Sequence, residues 1–431
     1  VEQVHLALGE APNALVVSFA TRAEPAAPPF VRFSLGGGPG RTAQGSTRRF
    51  AASNAQGAQW YHEVLLEGLP ALAAVRYEAC VEAAGGTVAC SQPVRAVAPS
   101  NRTSWDPTVL LFGDMGRDGG PLAQELFTAL PAMEAEVLGG RADAVFHLGD
   151  LAYNLHSDGG ARGDAFMVRI EPMASRVVYH TVPGNHEIMG GNFDHYRARF
   201  RMPHGGDLGG FRMWYSADLG RMHFVALSTE VFFARPQAEV DAMVGWLEQD
   251  LRAANARRAE RPWIVVLGHR PPYCSNLSFR CEDPGSDGER VRALLEPALA
   301  RHQVDIAFWG HEHSYERTWP VLNFSATQRD YVNPRAPVHV ITGSAGCNSM
   351  LGLCQDPILF PRGPWSAFRT GPLHRYSFTR LRAPSASALR VEQVCAATRR
   401  AFDGFTLTRT PGGQDDVLLA KPRGLFVRRE G

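Results

Sequence analysis

Ala144-Val145-Phe146-His147-Leu148-Gly149-Asp150-Leu151-Ala152-Tyr153 is an apolar run of strand length that breaks at Gly-Asp and sets a carboxylate and a phenol three positions apart. Such a run, bounded by glycine, reads as a strand buried on both faces, the kind found in parallel sheets covered by helices. Gly-Asp at a strand end is by itself a common turn, in which the Asp side chain bonds its own backbone. It gains meaning here because the same kind of ending recurs along the chain.

Four further apolar runs lead into similar loops. Val109-Leu110-Leu111-Phe112 ends at Gly113-Asp114-Met115-Gly116, and the region after Val177-Val178-Tyr179 leads to Gly184-Asn185-His186-Glu187. Ile264-Val265-Val266-Leu267 ends at Gly268-His269-Arg270, and Ile306-Ala307-Phe308-Trp309 at Gly310-His311-Glu312-His313. Val338-His339-Val340-Ile341 is another such run, and helical patterns lie between them at Pro121–Leu138, Gln237–Leu251 and Glu289–Ala300. The alternation predicts an α/β fold of layered sheets flanked by helices. In such folds ligands gather at strand C-termini, so the five loops are expected to converge in space. His147, His180 and His339 fall inside strands and are read as structural.

The converging set holds two carboxylates (Asp114, Asp150), a phenol (Tyr153), an amide oxygen (Asn185) and three imidazoles (His269, His311, His313). If Asp150 bridges, these fill two four-ligand sites and leave positions open for water and substrate. Hard oxygen donors with a Tyr suit Fe(III), and a group richer in His and Asn suits a divalent ion such as Zn, Mn or Fe. Two metals about 3.5–4 Å apart supply hydroxide and clamp the attacking and leaving oxygens of a displacement at phosphorus. Phosphoester hydrolysis is the reaction this donor set favours.

The first hundred residues have a different texture. Short alternating runs such as Val4–Leu8, Leu15–Phe19, Phe30–Phe33, Tyr61–Leu66 and Arg76–Cys80, broken by Gly36–Gly40, predict an all-β sandwich of fibronectin type III or immunoglobulin kind. The expected division is therefore 1–99 for this β-sandwich, 100–107 for a linker, 108–412 for the α/β domain with a closing C-terminal β-hairpin, and 413–431 for a tail. With 44 basic against 43 acidic residues and a formal charge of +1, there is no bulk electrostatic case for nucleic acid or an anionic membrane. No apolar run approaches the ~18–20 residues of a membrane span. The seven cysteines group as Cys80/Cys90, Cys274/Cys281 and Cys347/Cys354 with Cys395 left over, which predicts three local disulfides. Sequons at Asn101, Asn276 and Asn323 point with them to glycosylation and an oxidising, secreted or lysosomal/vacuolar setting. The start at Val1 is read as the product of signal-peptide removal.

The ordered set Asp114-x-Gly116, Gly149-Asp150-x-x-Tyr153, Gly184-Asn185-His186-Glu187, Gly268-His269 and Gly310-His311-x-His313 resembles that of the purple acid phosphatases, within the calcineurin-like metallophosphoesterases. The likeness extends to Gly310–Arg317, Ile341–Gly346 and the leading β-domain, as in members with an N-terminal fibronectin-like domain. It implies that Asp114, Asp150, Tyr153 and His313 hold Fe(III), and that Asp150, Asn185, His269 and His311 hold the divalent metal. It also implies an acid phosphatase: a hydroxide at the dinuclear centre attacks a phosphate monoester and releases inorganic phosphate, with an acid pH optimum. His186 becomes an outer residue that bonds phosphate or the nucleophilic water, with Glu187 orienting it.

One departure stands out. Plant members carry further histidines shortly after the motif matching Gly268-His269, where this chain has Arg270-Pro271-Pro272-Tyr273-Cys274-Ser275-Asn276. This is similar to the animal-type branch, with Arg270 or Tyr273 as the expected substrate contact. The residues also admit a dimetal phosphodiesterase or nucleotidase, or a secreted binding protein that keeps the metal site without catalysis; retention of every ligand type speaks against the last.

Overall fold

The strands Val109–Phe112, Ala144–Leu148 and Val178–Val182 are buried along their whole length, as their apolar composition requires. They pair in parallel and in step, with Ala144 opposite both Val109 and Val178, so their C-termini end level with one another. Trp263–Leu267, Ile306–Trp309 and Val338–Thr342 form a second parallel set, also buried throughout. The computed structural model describes residues 1–11, 13–51, 58–116, 128–203, 213–275, 281–346, 361–370 and 376–410 of the 431. Cys347, Cys354, Asn276 and the tail 413–431 lie outside them.

The two parallel sets belong to two large sheets that pack face to face. Phe146 of the first stacks on Phe224 of the second at 4.7 Å between ring centres, and the Gly113 N–H donates across to the Thr342 carbonyl at 2.9 Å. Helices Leu130–Leu138 and Ala161–Ala174 lie beside one another on the first sheet, and Gln237–Ala256 and Asp287–Arg301 pair on the second. Val240, Met243, Leu247 and Leu251 of Gln237–Ala256 are buried, the face that their spacing predicts. Of the expected helix Pro121–Leu138, residues 121–127 lie outside the described residues; the described helix runs Leu130–Leu138, with Pro131 in its opening turn, where a residue without an N–H fits.

The second sheet continues outward through Met222–Ala226 and Tyr215–Leu219 on one side, and through Tyr315–Thr318 and Ser366–Arg369 on the other. Beside Val109–Phe112, the first sheet adds Ser377–Ser385, Ala388–Cys395 and Ala401–Thr408, whose last two strands form the expected hairpin. On its opposite side it does not stop at Val178–Val182. Glu2–Leu8 pairs with that strand through Leu6 and Val178, and Leu15–Thr21, Gln59–Leu66 and Ser46–Phe50 follow, making ten strands in one sheet. A separate sheet of Arg41–Gln44, Phe30–Leu35, Ala74–Glu82 and Val88–Cys90 completes the N-terminal β region, with Val94–Val97 also on Ala74–Glu82.

Disulfides join Cys80 to Cys90 and Cys274 to Cys281, and Cys395 has no disulfide partner among the described residues. His147, His180 and His339 are buried, and burial lowers each to about 3, so all three are neutral partners in the core. His147 bonds the Tyr179 hydroxyl at 2.8 Å, and His339 accepts from the Trp309 indole at 3.1 Å. Among the described residues no helix is long and apolar enough to cross a membrane.

Candidate metal centre

Because the strands end in step, the loops that follow them meet at one edge of the two-sheet stack. Three loops come from the first sheet and two from the second. The loop backbones are bent sharply to aim their side chains, with Asp114, Asp150, Tyr153 and His311 at φ 60°, 53°, 39° and 69°. That conformation costs an ordinary residue about 1–2 kcal/mol each, and it persists only where surrounding structure imposes it. Gly149, at φ 83°, is needed for space as well: a Cβ there would lie 2.5 Å from His269 Nδ1 and 2.7 Å from the Gly184 nitrogen.

Two donor groups result. In the first, Tyr153 OH lies 2.6 Å from His313 Nε2 and 3.3 Å from Asp114 Oδ1, and His313 Nε2 lies 3.4 Å from Asp114 Oδ1. In the second, the amide oxygen of Asn185 lies 3.1 Å from His269 Nε2 and 3.0 Å from His311 Nδ1, and His269 Nε2 is 3.4 Å from Asp150 Oδ1. Ligand atoms of Asp150, His269 and His311 fall within 4.8 Å of one another. The two groups are tied by the His311 N–H, which donates to Asp114 Oδ2 at 2.8 Å.

The chemistry of the second group fits a cation. His269 Nδ1 sits 2.7 Å from the Leu148 carbonyl oxygen, which takes its N–H, so Nε2 is left aiming a lone pair at oxygens of Asp150 and Asn185. Only a proton or a metal ion between them relieves that arrangement. With the protein groups alone, burial opposes charge on His269, but Asp150 and Asp114 outweigh it and push its pKa up to about 10. Burial favours the protonated form of Asp150, yet His269 and His186 hold its carboxyl well below the usual carboxylate range. Burial, then His269 and Arg270, drive His311 well below the ordinary histidine value.

The first group fits a cation of stronger Lewis acidity. Burial, then Asp114 and Asp150, push the Tyr153 phenol well above its ordinary value, so it ionises only if a strongly acidic metal replaces its proton. His313 is disfavoured as a cation by burial, but Asp114 prevails and raises it.

His186 and Glu187 separate in what they touch. His186 Nδ1 lies 2.6 Å from Asn154 Oδ1, and Nε2 lies 3.8 Å from Asp150 Oδ2. Burial lowers the His186 pKa against the pull of Asp150. Its side chain is 26% exposed and that of His313 30%, so these two mark the open face of the centre. Glu187 is buried and bonds backbone: its carboxylate accepts the N–H groups of Asp150 and Gly184 at 2.8 Å and of Leu151 at 2.9 Å. Burial and then Asp150 push it up to about 7.

Arg270 stands beside the second group, with Nη1 3.4 Å from His311 Nε2. Tyr273 is elsewhere: it is buried against Phe324, His339 and Trp365, its hydroxyl donates to Glu296, and none of these belongs to the donor groups. Three residues at the site carry no obvious mark in the sequence. Asn154 holds His186, and Glu230 and Asp287 hold Arg270. Glu230 does follow the apolar run Phe224–Leu227, so a sixth strand end was there to be read.

Residues 107–315 match the family model for calcineurin-like phosphoesterases, and residues 336–404 match the one for the iron/zinc purple acid phosphatase-like protein C region. Acid phosphatase type 7 of Homo sapiens is 39% identical over 447 residues, covering 99% of this chain and 92% of the human protein. The Mus musculus acid phosphatase type 7 is 38% identical over 91% of this chain and 87% of its own length. The structure of a purple acid phosphatase from yellow lupin (Lupinus luteus) seeds matches with a TM-score of 0.80 at 25% identity, covering 96% of this chain and 75% of that one. With both family models in sequence and relatives matched along almost the whole length, the chain belongs to the purple acid phosphatases, within the calcineurin-like phosphoesterases.

Proposed function

We propose that this chain is an acid phosphatase that hydrolyses phosphate monoesters at a dinuclear centre of Fe(III) and a divalent Zn, Fe or Mn. The observation that carries this is the second donor group, where the His269 Nε2 lone pair faces carboxylate and amide oxygens across a gap that a cation fills. Asp114, Tyr153, His313 and Asp150 would hold the iron, and Asn185, His269, His311 and Asp150 the divalent ion. Two cations held there would supply an acidified water and neutralise charge on the phosphoryl oxygens.

The chain's own residues do the rest. Asn154 fixes the His186 ring through Nδ1, which leaves Nε2 at the open face to hold the phosphate or the attacking water. Glu187 sets the backbone of Asp150 rather than the His186 ring. Of the two substrate contacts expected after His269, Arg270 keeps that role and Tyr273 supports the loop that carries it. Exposed Asn101 and Asn323 and the two disulfides support glycosylation and a secreted or lysosomal setting. Residues 1–99 serve as a fibronectin-like support for the catalytic region.

A pH-resolved panel on the metal-loaded protein tests this. p-Nitrophenyl phosphate is expected to be turned over best at acid pH. A clear preference for bis(p-nitrophenyl) phosphate would replace the monoesterase with a phosphodiesterase, and bound metals with no turnover of either would leave a binding protein.

A further inference from the structure

We propose that Arg270 binds a phosphoryl oxygen on the divalent-metal side of the centre, as a set of N–H donors held in place by Glu230 and Asp287; this rests on the phosphatase reading above. Arg270 follows His269 directly, and its side chain is 13% exposed. Its Nε donates to both oxygens of Glu230, at 2.9 and 3.1 Å, and Glu230 is fully buried. Nη1 donates to Asp287, the first residue of helix Asp287–Arg301. The guanidinium carbon lies 4.7 Å from the centre of the Phe233 ring, and the Arg270 N–H is taken by Thr229 Oγ1 at 3.0 Å. The fork is therefore fixed from three sides before any ligand arrives.

A guanidinium carries five N–H groups. Here one goes to Glu230 and one to Asp287. The second Nη1 hydrogen faces His311 Nε2, and the Nη2 pair has no partner among the described residues. His311 Nδ1 faces Asn185 and its Nε2 faces Arg270 Nη1 at 3.4 Å, so Arg270 borders the second donor group, and its remaining Nη2 N–H groups are placed to donate to an oxygen of a phosphoryl group bound there.

Glu230 and Asp287 bring two carboxylates to one guanidinium, so Arg270 contributes fixed direction rather than long-range attraction. That also distinguishes it from lysine, whose single ammonium cannot serve Glu230, Asp287 and a ligand in one plane. The alternative is a purely structural staple that joins the His269 loop to helix Asp287–Arg301.

The test uses Arg270→Gln and Arg270→Lys in the metal-loaded full chain, with metal content by elemental analysis, inorganic phosphate binding by calorimetry, and steady-state kinetics on p-nitrophenyl phosphate. Both metals are expected to stay, phosphate affinity to fall about tenfold or more in Arg270→Gln, and Lys to restore only part of it. KM is expected to rise more than kcat falls. Unchanged phosphate affinity at full metal content overturns the proposal. Loss of metal in both variants also overturns it, since Arg270 would then be supporting His311. Wild-type turnover is read separately: a wild type that binds phosphate without hydrolysing the monoester sinks the phosphatase reading while leaving the Arg270 contact to be judged by binding.

Discussion

The Glu187 carboxylate accepts the backbone N–H of Asp150 at 2.8 Å, fixing from behind a residue that the backbone holds at φ 53°. The same two oxygens take the N–H groups of Leu151 and Gly184, so one side chain joins the loops that follow two neighbouring strands. Glu187→Ala leaves three buried donors without an acceptor, at about 1–3 kcal/mol each. A loss of roughly 3 kcal/mol or more is expected in urea unfolding, with weaker metal retention. Glu187→Gln keeps one acceptor oxygen and should fall between. An Ala variant as stable as wild type would show that water replaces the carboxylate.

Tyr153 supplies a different kind of test, because its oxygen reports on the metal directly. With Fe(III) in the first group, the ionised phenol gives a visible absorption band. Tyr153→Phe removes the oxygen 2.6 Å from His313 and 3.3 Å from Asp114 but keeps the ring that packs edge-on against His186 at 4.7 Å. The variant is expected to fold normally and be colourless. Colour that survives in a metal-loaded Phe variant would assign the band, and the iron ligand, to something else.

The residues that converge on the candidate centre were legible because each sits within a few residues of a strand end, where an apolar run and a glycine announce it. Their supporting partners were not. Asn154 is one polar residue among many until the fold brings it to His186, and Asp287 reaches Arg270 only across a chain separation that leaves no local pattern. Tyr215–Leu219 is half-buried and near the edge of its sheet, so it lacks the solid apolar run that marked its neighbours. The pairing of Leu6 with Val178 is invisible for the same reason: strand partners far apart in sequence are chosen by packing, not by propensity.

His223 lies between two carboxylates, with Nδ1 2.6 Å from Asp218 and Nε2 2.9 Å from Asp250. Asp218 also meets Arg257 and Arg261, at 3.1 and 3.2 Å, and Asp250 accepts the Ser216 hydroxyl at 2.7 Å. Burial opposes charge on His223, but the two carboxylates prevail and raise its pKa. A raised histidine stabilises the fold fully below its unfolded value of about 6.5, and that contribution is lost as pH climbs through the folded value. At the acid end, burial raises Asp218 but His223, Arg261 and Arg257 hold it below the ordinary range, so the network persists down to about pH 4. His223→Gln should therefore cost about 3 kcal/mol between roughly pH 4 and 6.5 and progressively less above neutrality. Melting curves of mutant and wild type that run parallel across pH would rule this out.

The N-terminal β region and the catalytic region are expected to unfold together, although the sequence reads as two units. Leu6 pairs with Val178, the Leu8 N–H donates to the neutral His180 Nε2 at 3.1 Å, and the Gln3 N–H donates to Glu171 at 2.8 Å. On the other side of the N-terminal sandwich, the buried Tyr77 hydroxyl donates to the Ser175 carbonyl at 2.6 Å. Without Glu2–Leu8, the strand Val178–Val182 becomes a sheet edge with apolar faces and an unsatisfied buried imidazole, a state that no part of the fold compensates. Calorimetry should show one cooperative transition for the described fold, and Tyr77→Phe should lower all of it by about 1–2 kcal/mol. Two resolved transitions, with Tyr77→Phe moving only one, would mean that the shared sheet does not couple the two regions.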